Sequence, residues 1–257
     1  MIETLLLPLV PERFLTEPKY REGHLKVINA LPGRRILGLH MPEMKAVAKE
    51  LASRDDAAEI IRGFEKEALS EAAEGYGSRL VYEETVVWGL MINAMKVTWE
   101  ERAEFMRNYI PVLDNWAVCD TFCGSMKWVK DNLAGARKGM CSHAMLWEFM
   151  QPYWTSDKEF EVRFAIVASL VHFLDDEGFP KVFEKLDSLD FETVVSQYGD
   201  SPYYVRMAVA WLLATALAKM PEQTRAFVNA SGLPENVRRL YARKARESFR
   251  TRDVSPF

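Results

Sequence analysis

Histidine and cysteine are scarce in this chain: four and three in 257 residues. Three cysteines are an odd number, far below the density of a disulfide-stapled scaffold, so a reducing, cytoplasmic location is expected. A basic excess is missing as well. Lys and Arg number 33 against 37 Asp and Glu, a net charge of −4, so any nucleic-acid footprint has to be local. Long apolar runs do not occur. "LLLPLV" near the start is too short for a bilayer span and is broken by Pro8. The leader lacks a basic region before an apolar one and a small-residue cleavage site. The Walker, GxGxxG and GxSxG patterns are absent, so no sequence warrant exists for a P-loop, a dinucleotide-binding turn or a nucleophile elbow.

What is present is material for a core. Hydrophobic residues make up 49% and charged residues 27%, the balance of an ordered chain of one domain or one continuous array. Strand signals are few. Apolar residues recur at intervals of three and four between short Gly, Pro, Asp and Ser breaks, which predicts helices. Thr98 with Glu101, and Ser156 with Glu159, fit capping boxes. Ser201 before Pro202 reads as an N-cap and first helical position, and Pro234 after Gly232 repeats the device. Residues 1–30, with Pro8, Pro11 and Pro18, read as a lead-in of broken helix.

A weak repeat follows. "VRFAIVASLVHFL" begins at Val162 and "VRMAVAWLLATAL" at Val205, an offset of 43. "VVWGLMINAM", "NWAVCDTFCGSM" and "VRRLYARKARESF" have similar apolar character at irregular spacings near 40. Such spacings suit paired-helix repeats of the HEAT or armadillo kind, which stack into a curved solenoid with a concave surface. The expectation is one all-α, HEAT-like-repeat domain over residues 1–257, closed by a basic helix and tail at 235–257; a plain helical bundle is the alternative.

Trp116 and Asp120 lie four apart and share a face on a helix. Ala117, Val118, Cys119 and Phe122 are poor company for a charge, so the carboxylate either ties down a neighbouring element or faces a cleft. Arg163 and Arg206 stand near two helix starts, where the dipole does not favour a cation; each needs a carboxylate partner or a phosphate. Trp211, inside the apolar stretch "AVAWLLATAL", reads on its own as core packing. Arg238 to Arg252 carries seven basic residues and one acid, a local charge of +6. Arg239, Arg243, Arg246 and Arg250 make a stripe beside Val237, Tyr241, Ala245 and Phe249, either a solvated face or a phosphate-contacting one. "KWVKDNLAGARKG" adds Lys127, Lys130, Arg137 and Lys138. Cys119, Cys123, Cys141 and His143 raise a zinc site, but Cys-x3-Cys followed by Cys-x-His is not a usual zinc spacing. No metal is expected, and pairing of a cysteine with His143 or His172 is an equally weak nucleophile signal.

Taken together these segments resemble the bacterial DNA alkylation-repair family of HEAT-like alkylpurine DNA glycosylases, from about Gly38 to Phe249. "GLHMPEMKAVAKEL" is similar to the family's early helix, and "NWAVCD" to its Trp-x3-Asp segment. "VRFAIVASL" resembles its Arg-bearing helix, "YYVRMAVAWLL" the helix with its second Trp, and "ARKARESF" its basic closing helix. The resemblance implies that Asp120 is the catalytic carboxylate, Trp116 and Trp211 aromatic walls, and Arg163 a phosphate contact. It implies a solenoid whose concave face embraces duplex DNA and hydrolyses the N-glycosidic bond of 3- and 7-alkylated purines, with the damaged base largely stacked. No metal and no organic cofactor are implied. The expected partner is double-stranded DNA containing alkylated purines; no membrane is expected, and a monomer is. A non-catalytic HEAT-repeat module binding damaged or branched DNA, or a protein partner, is the competing expectation.

Overall fold

Helix is the regular structure of the described residues, 2–69, 80–130, 140–199 and 201–257, in the computed structural model. Two isolated bridges, Val129–Cys141 and Lys158–Val195, stand in place of strands among them, so the all-α expectation is met. No helix among the described residues is long and apolar enough to cross a membrane. The chain divides into two compact units, Met1–Ser142 and His143–Phe257.

In the first unit the helices are α1 (Glu3–Leu6), α2 (Glu12–Thr16), α3 (Pro18–Ile28), α4 (Met41–Ala52), α5 (Ala57–Leu69), α6 (Tyr82–Ala94), α7 (Trp99–Tyr109) and α8 (Trp116–Gly124). The early prolines sit where a missing N–H does no harm: Pro8 in a 3-10 turn, Pro11 capping α2, Pro18 opening α3. From Tyr82 to Ile92, α6 is buried on every side, which is where a helix without a polar face belongs. α4 and α8 pack against it, while α5 and α7 contact it and each other as a second row. Two buried acids on α6 bind the preceding chain. Glu83 accepts from the backbone N–H of Leu37, Gly38 and Leu39 at 2.9, 2.7 and 3.3 Å, and Glu84 from that of Ile2 at 2.8 Å. The capping box at Thr98 and Glu101 is formed at the start of α7.

The second unit contains α9 (His143–Met150), α10 (Glu159–His172), α11 (Gly178–Asp187), α12 (Tyr203–Lys219), α13 (Pro221–Ala230) and α14 (Glu235–Glu247). The two similar segments at Val162 and Val205 are its central helices. α12 packs between α10 and α14. On the other row, Phe183 of α11 stacks on Phe227 of α13 with centroids 4.0 Å apart.

Three expected helix ends differ. Ser156 does not box with Glu159. Its hydroxyl accepts from the Lys158 N–H and donates to Glu161, while Glu159 turns to α12, accepting from the Tyr204 N–H at 2.6 Å and from the Ser196 hydroxyl at 2.5 Å. Ser201 does not cap α12, because its hydroxyl oxygen is taken by Arg206; Glu159 satisfies that helix start from the neighbouring helix instead. α14 stops at Glu247 because Ser248 is extended and the Thr251 hydroxyl folds back onto the Ala245 carbonyl at 2.7 Å. Arg250 and Phe249 therefore lie beyond the helix rather than on its stripes.

Candidate functional site

The start of α8 is built on an orphan carbonyl. Asn29 adopts a left-handed conformation (φ 50°) and ends α3, leaving the Ile28 C=O without a helical partner. Asn115, the N-cap of α8, donates to it at 2.9 Å, and the Trp116 indole N–H donates to it at 3.0 Å. The Asn115 side-chain oxygen meanwhile accepts from the Ala117 N–H at 2.9 Å. The indole of Trp116 is thus fixed by its polar edge. One turn on, Val118, Cys119, Phe122 and Cys123 are buried, while Trp116, Ala117, Asp120 and Thr121 are half-buried and Gly124 is exposed. Asp120 stands on this partly open face beside Trp116, not in the core. The Thr121 hydroxyl, 4.0 Å from the sulfur of Met41, borders it.

In the second unit Trp211 is 37% exposed, which answers the core alternative. It lines a groove of about 480 Å³ together with Thr215 of α12, Lys244 and Glu247 of α14, and Ser248 and Arg250 of the following turn. Arg239, Arg243 and Arg246 are exposed on α14. Arg239 pairs with Glu235 at 3.0 Å, and Arg243 and Lys244 with Glu247 at 3.5 and 3.0 Å. Lys127 is exposed near the end of α8's unit; Arg137 and Lys138 lie outside the described residues.

Arg163 and Arg206 are used differently from those surface cations. Arg163 is 3% exposed and donates to the Tyr204 carbonyl at 2.6 Å. With Glu159 one turn earlier on α10, it clamps both backbone groups of Tyr204. A phosphate contact requires Arg163 to leave that position. Arg206 is half-buried against Ser201, with its Nε buried and unbonded among the described residues.

All three cysteines are free and buried. Burial pushes the Cys141 thiol up to about 12, against the pull of Arg102, the opposite of what a nucleophile needs. Among the described residues no three His, Cys, Asp or Glu side chains gather as a metal site.

The geometry brings Trp116 together with Asp120, and Trp211 together with Lys244 and Arg250. Asn115, Lys244 and Glu159 went unread as site or positioning residues. An Asn directly before an apolar helix start was a legible cap signal, and Glu159 lies four before Arg163.

A family model described as DNA alkylation repair enzyme matches residues 18–249. The chain belongs to that family, whose membership supports a role in DNA repair with DNA as substrate. Comparison with curated proteins and with solved structures returned no match.

Proposed function

We propose that the protein is a DNA glycosylase that hydrolyses the N-glycosidic bond of cationic 3- and 7-alkylated purines in duplex DNA. The observation that carries this is the pairing of an anchored indole, Trp116, with a half-buried carboxylate, Asp120, on the partly open face of α8. Alternation of helix rows within each unit supports a HEAT-like repeat, whose concave face takes the duplex in this reading.

Alkylation at N3 or N7 gives the purine a positive charge, so the base leaves as a neutral molecule without being protonated. As the C1′–N bond breaks, positive charge grows on the deoxyribose. Asp120 stabilises that charge and orients a water whose oxygen bonds to C1′, its proton passing to the carboxylate and on to solvent. The face of Trp116 attracts both the charged base and the cationic sugar, a contact contributing roughly 0.5–2 kcal/mol, and Trp211 offers an aromatic face to the DNA within its own unit. Arg206, Arg239, Arg243, Arg246 and Lys127 hold phosphates. Arg163, bonded to Tyr204, serves as a positioning residue that sets the start of α12.

The test is base release from methylated duplex. Wild type releases 7-methylguanine or 3-methyladenine. Asp120→Asn loses roughly 100-fold to 1000-fold in turnover while it still folds and keeps much of the duplex affinity. Full activity in Asp120→Asn sinks the assignment of the carboxylate. Wild type that binds duplex and releases no base makes the chain a non-catalytic binding module.

A further inference from the structure

Phe249 is 87% exposed, more than any other large apolar side chain among the described residues. It does not sit on a frayed end. Thr251, 1% exposed, bonds back to the Ala245 carbonyl, and the N–H groups of Thr251 and Arg252 donate to the Ser248 carbonyl at 3.1 and 2.8 Å. Further on, the Tyr241 hydroxyl donates to the Pro256 carbonyl at 2.8 Å. The turn is anchored on both sides and holds its aromatic ring outward.

The surroundings are cationic. The Arg252 guanidinium lies over the Phe249 ring, 5.2 Å from its centroid. Arg246 and Arg250 are exposed, and neither makes a side-chain ion pair among the described residues. Arg250 also lines the groove of Trp211. The exposed rings of Trp211 and Phe249 each stand beside a guanidinium, Arg250 in the groove of Trp211 and Arg252 over Phe249. An apolar protein partner has no use for so many cations, whereas a polyanion with flat apolar faces matches both features.

We propose that the turn Ser248–Arg252 is a DNA-contacting element in its own right. Arg250 takes the phosphate next to the nucleotide held at Trp211, and Phe249 packs on the sugars and base edges of the adjacent groove. The assignment rests on the reading of duplex DNA as ligand.

The experiment is fluorescence anisotropy of the full chain with a short labelled, undamaged duplex over a series of salt concentrations. Phe249→Ala is expected to weaken binding roughly tenfold with the salt slope unchanged. Arg250→Gln is expected to lower that slope by about one. Both side chains are exposed, so thermal midpoints stay at wild type. Binding within twofold of wild type by both variants, with the same slope, overturns the proposal. So does a loss that appears on anionic lipid vesicles and not on duplex. Base release separates this from the glycosylase reading: a wild type that releases base while both variants bind normally overturns the turn alone. A wild type that releases none, with both variants weakened on duplex, upholds the turn and ends the glycosylase reading.

Discussion

Glu159 and Arg163, one turn apart on α10, hold the N–H and C=O of Tyr204 between them. Glu159→Ala leaves the Tyr204 N–H and the Ser196 hydroxyl without their acceptor and the buried guanidinium without its nearby carboxylate. The expected loss is about 3–5 kcal/mol, read by urea unfolding, and Glu159→Gln should recover part of it. Glu83 offers a pH test. Burial pushes its carboxyl upward, and the amide donors of Leu37, Gly38 and Leu39 pull part of that back. Its folded value is raised, so its contribution to stability is full below the ordinary carboxylate value and is lost as pH rises through the raised one. Unfolding free energy measured across that window should therefore fall with pH more steeply in wild type than in Glu83→Gln. Equal slopes would remove Glu83 as the source. At this scale the Trp116–Asp120 pair was legible, because a four-residue spacing on a helix fixes a shared face. The partner of Arg163 was not, because a backbone carbonyl 41 residues away leaves no mark in the sequence.

Among elements, the apolar helix interiors were readable and the ends only in part: the Thr98–Glu101 box formed, the Ser156 and Ser201 caps did not. The recurring apolar segments located α6, α10 and α12, whose burial on nearly all sides follows from having almost no polar face. Ends depend on what a hydroxyl finds: Ser156 found Glu161 and Ser201 found Arg206, each five residues on, beyond the three-residue spacing of a capping box. The stop of α14 was hidden because the residues before Ser248 are good helix formers. Gly89 in α6 shows the limit of local rules. Propensity alone says that Ala there stabilises by about 1 kcal/mol. A Cβ at Gly89 would stand 2.3 Å from the Tyr109 hydroxyl oxygen and 2.6 Å from its ring carbon, and that hydroxyl is tied to the Thr85 carbonyl at 3.1 Å. Overpacking of this kind costs about 1–3 kcal/mol, so Gly89→Ala is expected to lower the thermal midpoint. A raised midpoint would mean that Tyr109 yields freely.

Across the whole chain the charge is divided: +6 over Arg238–Arg252 against −10 in the remainder. A duplex is therefore drawn chiefly to that segment, with Lys127 and Arg206 as outlying contacts, so affinity should depend on a small number of cations, each of which shows in the salt slope. Those cations are not equivalent. Arg239 and Arg243 are held by Glu235 and Glu247, exposed pairs worth about 0–1 kcal/mol each, which a phosphate must displace. Arg246 carries no such partner among the described residues, so nothing is surrendered when it meets a phosphate. Single Gln substitutions are accordingly expected to weaken duplex binding most at Arg246 and less at Arg239 and Arg243, and each to lower the salt slope by about one. Affinities measured at several salt concentrations decide the matter. If Arg239→Gln costs more than Arg246→Gln, the carboxylates do not compete with phosphate; if none of the three changes affinity or slope, the stripe faces solvent instead of DNA.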